Sequence, residues 1–541
     1  MGIAAAAGAA GAGALWWYRT RPEEAPPPPT EVPFTPEAAF PNPLRLPGAD
    51  GMYGVLDASS ALTLIAKPVQ HELLPGKPAR MLAYEVEHLG RTYRNPVLRV
   101  RTGAQVRINF WNALDETSIV HWHGLKVDAN NDGHPHYAVP GGATYDYHFT
   151  VANRAAMHWY HPHAHHLTGK QIYLGLAGLF IVEDDEDLAL QRALDLRLGE
   201  TDIPLVLQDR RFDESGGLVY APGAEDRFAG HYGAETLVNL TSRPHFLAAT
   251  RVYRFRILNA SNARMFRLAF RHGEEHLEFR VIGNDGGLLD RPHPAKELFL
   301  SPGERVDALL DLRAAALGDA VTLASLAFDP MHHEGEAAGG HDAHAHHGGH
   351  GGHGSGEMPY VPDGEPLDLM RIHVLSRVAY ENAVPDVLSR LEPPAAAAGK
   401  PRIITIDQVK GRWRINGQTY KPSATPIVVP RGATEVWEIR NHARSMPHPM
   451  HIHGFVSRVL SREGSPEQQR GRAVTETGLA VTDLGWKDTV LSWPGETVRV
   501  VTDFSHPYVG EQVYMVHCHN LEHADGDMMV NLKIAGDPAS R

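Results

Sequence analysis

A strand-like alternation that runs into an asparagine-bearing turn recurs three times along this chain, at LRVRTGAQVRINFWN (98–112), RVYRFRILNASN (251–262) and IVVPRGATEVWEIRN (427–441). Later in each copy a Pro-Gly pair precedes another alternating run: Pro140-Gly141, Pro302-Gly303 and Pro494-Gly495. Short alternating runs closed by Gly, Pro, Asn and Asp are strand signals, and many of them in series indicate β-sandwiches. Three copies over about 490 residues give about 160 residues each, an ordinary domain length. Long amphipathic helices are scarce, so the expected class is all-β, with three sandwich domains in tandem. One boundary is expected near 190, after the acidic EDDEDLALQ, and the other within 380–400, where LEPPAAAAGK reads as a linker. The domains are therefore expected at 46–190, 191–380 and 381–541, the last including its linker.

Residues 1–45 read differently. The run GIAAAAGAAGAGALWW (2–17) is uncharged, Arg19 and Arg21 follow it, and Pro26 to Pro29 make a stiff linker. About 16 apolar residues fall short of the roughly 20 that a membrane span needs, so no stable span is expected. The run resembles the apolar part of an export signal of twin-arginine type whose basic start is incomplete, which predicts a periplasmic or extracellular protein. A disordered low-complexity tail is the alternative. A second segment, 332–353, holds His332, His333, His341, His344, His346, His347, His350 and His353 among glycines, a composition that cannot pack a core.

Charge excludes one class of partner. Lys plus Arg is 51 against 64 Asp plus Glu, a net −13, and no basic block offers a nucleic-acid surface. One cysteine excludes an internal disulfide framework. The 34 histidines are the excess, and imidazole is the commonest metal ligand.

Outside the insert, histidines cluster four times: His121-Trp-His123, His161-Pro-His163, His448-Pro-Met-His451-Ile-His453, and His517-Cys518-His519 followed by His523 and Met528. Two clusters lie in the first copy and two in the third. On a strand, residues i and i+2 share a face, so each His-x-His pair presents two imidazoles in one direction. Eight such imidazoles exceed what one copper takes, and three ions with three, three and two ligands use them all. Cys518 must face away from His517 and His519, so its thiolate serves another site. With His448, His523 and a weak axial Met528 it makes the His₂Cys plus Met set of a blue-copper electron-transfer centre. Strand geometry places the two sites roughly 10–15 Å apart.

These segments, together with WYHPHAHHLTGKQIYLGLAGLFIVEDD and HCHNLEHADGDMM, resemble the signature motifs of multicopper oxidases, the family of laccases, bilirubin oxidases and bacterial copper-efflux oxidases. The resemblance extends over most of 46–541. It implies three cupredoxin-like Greek-key domains and four copper ions. His121 and His451 would bind the type 2 copper. One type 3 copper would take His123, His161 and His519, and the other His163, His453 and His517. His448, Cys518, His523 and Met528 would bind the type 1 copper. Donors would give single electrons to type 1 copper, Cys518 would conduct them, and O2 would be reduced to water. Asp132, in NNDGHP, matches the family's proton-relay acid. A second relay acid follows the equivalent of His523 in many relatives; here Ala524 stands there, leaving Asp525 or a water as substitutes. Met528 in the axial position implies a low to middle type 1 potential.

The expected activity is laccase-like, with phenolic or aromatic-amine donors, O2 as acceptor and a monomeric protein. A periplasmic cuprous oxidase for copper tolerance is the alternative, favoured by the histidine-rich insert. Against it, copper-efflux oxidases carry an aspartate four residues and a methionine two residues before the equivalent of His448, where this chain has Arg444 and Met446. From other classes, a copper-free structural protein of the same fold would have lost ligands, and none is missing. A zinc hydrolase would be colourless. A Cys–His nucleophile would need an accessible thiolate and an oxyanion hole. His134, His136, His158, His165 and His166 have no required role, and a hydrogen bond supporting the nearby ligands is expected of His165. Asp132 could alternatively cap a turn.

Overall fold

The computed structural model describes residues 30–333, 360–397 and 399–536. The apolar run at 2–17, the prolines at 26–29 and the insert histidines from His341 to His353 lie outside the described residues. Six sheets fall into pairs along the chain. Five- and six-stranded sheets built from Gly51–Met52 through Gly178–Glu183 come first, followed by seven- and eight-stranded sheets that use Asp202–Arg210 through Leu367–Arg377. Two five-stranded sheets from Arg402–Val409 to Met529–Ile534 come last. Among the described residues the longest helix, Asp185–Leu194, has ten residues. Among the described residues no helix is long and apolar enough to cross a membrane.

Parallel neighbours recur in corresponding places, each beside the recurring asparagine-ended strand: Leu62–Leu74 beside Gln105–Asn112, Asp202–Arg210 beside Val252–Asn259, and Arg402–Val409 beside Thr434–Asn441. Parallel strands cannot be joined by hairpins, so the chain must cross between sheets, as in Greek-key sandwiches. The asparagine of each recurring segment shows why the repeat has its form. Asn112, Asn259 and Asn441 each end a strand, and each side-chain amide donates to two carbonyls. One lies in the asparagine's own turn (Glu116, Arg264, Met446), the other ahead of the Pro-Gly pair (Val139, Leu300, Ser492). One amide thus ties two loops together, which a hydrophobic residue at that position could not do.

Residues 30–45, expected to be tail and linker, depart from that expectation. Thr30–Glu31 and Asn42–Pro43 pair with strands Leu367–Arg377 and Pro244–Ala249 of the middle sheets, and Phe40 and Leu44 are buried there. Two-residue strands interrupted by proline carry no alternation for a sequence to display.

Each sheet pair closes on its own core. Trp122 lies in the first, against Tyr147, Tyr160 and Phe180. Phe255 and Phe270 lie in the second. Trp437, Cys518 and Met528 lie in the third. Trp122 and Cys518 are the middle residues of His-x-His triplets. Their burial inside the sandwiches forces the flanking imidazoles to the opposite face.

Candidate metal centre

Register brings the histidines together. Strand Val120–His123 runs antiparallel to Ala156–Pro162 with His121 opposite His161. Strand His448–Ile452 runs antiparallel to Gln512–Cys518 with His451 opposite His517. First-copy and third-copy imidazoles then meet face to face. His121 stacks on His453 with ring centroids 3.7 Å apart, and His123 on His451 at 3.8 Å. All eight rings are buried. The ring of His519 lies 5.0 Å from His123 and 5.5 Å from His161.

Hydrogen bonds orient these rings. The Nδ1–H groups of His121, His161, His451 and His517 donate to the carbonyls of Asp132, Pro162, Asp488 and Cys518 at 2.6–2.9 Å. His453 Nδ1–H donates to Asp132 Oδ2 at 2.8 Å. With the proton on Nδ1, each Nε2 keeps its lone pair. Those lone pairs converge: His453 Nε2 faces His517 Nε2 at 3.0 Å and His121 Nε2 faces His451 Nε2 at 3.4 Å, while His163, whose Nδ1 makes no hydrogen bond, brings its Nε2 to 3.3 Å from His517. Bare nitrogens at that spacing repel unless a cation lies among them. His123 Nδ1, His161 Nε2 and both nitrogens of His519 are buried without a partner, which is costly for a polar atom unless something fills the site. Burial holds these imidazoles below their ordinary pKa, His161 and His517 down to about 3 and His451 to about 4, so they stay neutral and able to ligate. The donor set fits metal ions.

The second site lies on the other face of strand Gln512–Cys518. His448 Nδ1 and His523 Nδ1 each stand 3.5 Å from Cys518 Sγ, and Met528 is buried in the same core. The Asn520 N–H points at the sulfur at 3.4 Å. Burial pushes the Cys518 thiol well above its usual pKa, so a metal must displace its proton. Two imidazoles and one sulfur, all enclosed, match a soft, copper-selective set.

The remaining candidates divide. Asp132 is buried between His121 and His453, its backbone serving one ring and its carboxylate the other, while Oδ1 makes no hydrogen bond and lies 3.6 Å from His121 Nδ1. Burial, with Asp128 adding to it, raises its pKa well above the usual carboxylate range. Ala524 is buried. Asp525 points its carboxylate at the Thr168 and Gly169 N–H groups, at 3.1 and 2.9 Å, rather than at the histidines. His165 pairs with Asp527, the residue before Met528, at 2.8 Å.

One functional cluster has no counterpart in the sequence reading. Asp488 Oδ1 accepts from His123 Nε2–H at 3.0 Å, and its backbone carbonyl serves His451. Arg305, in the middle sheets, donates to the same carboxylate at 2.8 and 2.5 Å. Burial alone would raise the pKa of Asp488, but Arg305 overrides it and holds the carboxyl well below the usual range. Lys487 beside it bridges Asp285 at 2.9 Å and Glu304 at 2.8 Å. The copy with no ligands in its sheets therefore braces a cluster formed by the other two. The available signal was a Lys-Asp pair entering the apolar run TVLSW, a charge where a strand should be dry.

Two multicopper oxidase family models match, one at residues 75–187 and the other at 395–537. The chain is 28% identical to the multicopper oxidase mco of Staphylococcus haemolyticus over 87% of this chain and 88% of that one. It is 30% identical to the bilirubin oxidase of Albifimbria verrucaria over 86% of this chain and 74% of that one. The crystal structure of the McoA multicopper oxidase of Aquifex aeolicus superimposes with a TM-score of 0.79 at 37% identity, covering 92% of this chain and 99% of that one. With its sandwiches, its paired sites and these relatives, the chain belongs to the multicopper oxidase family, an oxidoreductase that uses copper and passes electrons from a reducing substrate to O2.

Proposed function

We propose that the chain is a laccase-type oxidase of phenolic and aromatic-amine donors, carrying one type 1, one type 2 and two type 3 coppers. His448, Cys518 and His523 would hold the type 1 copper, with Met528 as weak axial ligand. His121 and His451 would hold the type 2 copper. His123, His161 and His519 would hold one type 3 copper, and His163, His453 and His517 the other. Copper, when bound, supplies one-electron chemistry at the sulfur site and O2 reduction at the histidine cluster.

The observation that carries this reading is the division of strand Gln512–Cys518, with sulfur in the third core and imidazoles in the inter-sandwich cluster. Cys518 is bonded through the backbone to His517 and His519, and its carbonyl also accepts the His517 Nδ1–H at 2.9 Å. Three short routes, two covalent and one hydrogen-bonded, therefore join the sites. Asp132 holds a proton at His453 Nδ1 and offers Oδ1, which makes no hydrogen bond, to another, the placement needed of an acid that relays protons to reduced oxygen. Enclosure of both sites keeps bulk water away from the ligands.

One observation favours the cuprous reading. Arg444 is exposed and supplies no acid, but Met446, Met265 and Asp363 line one small cavity with His332. Asp363 Oδ1 is buried there without a partner. Steady-state O2 uptake by copper-loaded protein, with a phenol and with Cu(I), on the intact chain and on one lacking 332–353, separates the readings. Uptake with the phenol that survives the deletion supports the laccase-type reading. Uptake with Cu(I) alone, lost on deletion, replaces it.

A further inference from the structure

Among the described residues, the sulfur site has no edge open to a substrate. His448 and His523 are both buried, and each outer nitrogen is already engaged. His448 Nε2 bonds Ser445 Oγ at 3.1 Å, and His523 Nε2–H donates to the Phe228 carbonyl at 2.9 Å. That carbonyl also accepts the Trp413 Nε1–H at 2.9 Å, so both its lone pairs are filled. The Phe228 ring stacks on Trp413, centroids 5.2 Å apart and planes 14° from parallel. Trp413 in turn lies edge-on to His448 at 4.6 Å and tilted against His523 at 5.4 Å.

Phe228 belongs to the short helix Ala224–Ala229 of the middle copy. This helix is pinned in place. Asn520 Nδ2, next to the cysteine loop, donates to the Ala229 carbonyl at 3.2 Å. Asp226 accepts from Arg211 at 2.6 Å and from the Gly223 N–H at 2.9 Å. The cover is thus a bonded part of the fold, on a segment that has no ligand of its own.

We propose that Phe228, backed by Trp413, is a specificity screen over the electron-entry edge of the type 1 site, so that donors reduce this centre without touching its imidazoles. The proposal rests on the type 1 assignment of His448, Cys518 and His523 made above. The Phe228 ring, stacked on Trp413, holds a phenol a ring's thickness away from the His523 edge, whose N–H is already bonded to the Phe228 carbonyl; without the ring a small phenol packs nearer, and a bulky metal-cyanide complex gains less. Each donor gives up one electron across the cover, and a phenol gives its proton to solvent. Four electrons and four protons with one O2 make two waters. The class of donor favoured is therefore one that transfers an electron at contact distance from Phe228 without needing a hydrogen bond at the copper edge. Metal-cyanide complexes and electron-rich aromatics of low potential are of this kind.

Phe228→Ala tests this. It removes the ring but keeps the carbonyl that bonds His523. Anaerobic stopped-flow bleaching of the blue absorbance is measured with 2,6-dimethoxyphenol and with ferrocyanide, alongside the type 1 midpoint potential. In metal-free protein, ¹⁵N NMR reports the tautomer of His523. The expected result is a phenol-to-ferrocyanide rate ratio raised about tenfold, the lower end of what pocket shape contributes to discrimination. The potential stays in place, and His523 carries its proton on Nε2 in both proteins. An unchanged or lowered ratio overturns the screen, as does a His523 that is Nδ1-protonated in the metal-free wild type. A copper-loaded protein with no blue absorbance at all instead overturns the type 1 assignment, so the two failures are distinct. Trp413→Phe, which keeps a ring but removes the N–H, is the second variant. It is expected to change the ratio less than Phe228→Ala, and a larger change would move the screen from Phe228 to Trp413.

Discussion

Asp488→Ala probes the brace between the middle copy and the ring cluster. The carboxylate is fully buried and accepts from Arg305 at 2.8 and 2.5 Å, from His123 Nε2 at 3.0 Å and from Thr489 Oγ1 at 2.9 Å. Deleting it leaves the Arg305 guanidinium in a dry site with the Met157, Gly303 and Asp285 carbonyls and the Asp285 carboxylate, 3.5 Å away and already shared with Lys487. Breaking one half of a buried pair costs about 3–5 kcal/mol. His123 also loses the acceptor that turns its Nδ1 toward the other rings, and loss of such an orienting group loosens metal by about 10–100-fold. The assay is copper retained per chain against a graded chelator, with urea unfolding of the metal-free protein measured alongside. Asp488→Asn separates the two effects. Its amide oxygen still accepts from His123, so stability falls while copper retention stays close to wild type. Wild-type copper retention in Asp488→Ala, at a chelator concentration that strips half the wild-type metal, would refute the positioning role.

Three further outcomes are expected. Burial holds His161, His517 and His523 at about 3 and His451 at about 4, against an ordinary value near 6.5. Their stabilisation of the metal-free fold is full above pH 6.5 and lost as pH falls through those values, at about 1.4 kcal/mol per pH unit for each ring that stays neutral. Glu522 and Asp525, raised by burial to about 7 and about 8, act oppositely: their contribution is present in acid and lost as pH rises through those values. The imidazoles outnumber them, so the urea midpoint of metal-free protein should drop between pH 6.5 and 4.5, and a flat or rising midpoint would contradict this. Asp132→Asn keeps an acceptor for His453 Nδ1–H but cannot relay a proton. Reoxidation by O2 should slow about 100-fold while anaerobic reduction by a donor is unaffected, and equal slowing of both would remove Asp132 from the relay. Asn259→Leu cuts the two bonds to the Arg264 and Leu300 carbonyls and should cost about 2–4 kcal/mol of unfolding free energy, from two buried acceptors left unmade. A loss below 1 kcal/mol would refute the tie between those loops.

The legible part of this protein was the part set by period. Alternation in the recurring segments pointed to sandwiches, and the i, i+2 rule on HCH separated the sulfur from its neighbours, because a pleated strand leaves no other arrangement. Asn112, Asn259 and Asn441 were visible as turn marks, but their double bonds to distant carbonyls were not, since loop closure is a tertiary matter. Asp488 and Arg305 sit 183 positions apart and belong to different sandwiches; no local pattern joins them. Phe228 was equally hidden, because a partly exposed phenylalanine in a short helix looks like any other until His523 is seen to bond its carbonyl. Asp525 shows the opposite error. Its nearness in sequence to His523 suggested a relay, yet the turn aims it at the Thr168 and Gly169 amides.

The central claim is that one strand directs sulfur and imidazole into separate metal sites, and Cys518→Ser tests it most directly. Copper-loaded wild type should be intensely blue and consume O2 with a phenolic donor. The variant should lose the blue colour and the donor-driven O2 uptake while keeping the copper of the histidine cluster. Persistent blue absorbance, or undiminished uptake in the variant, would contradict the account.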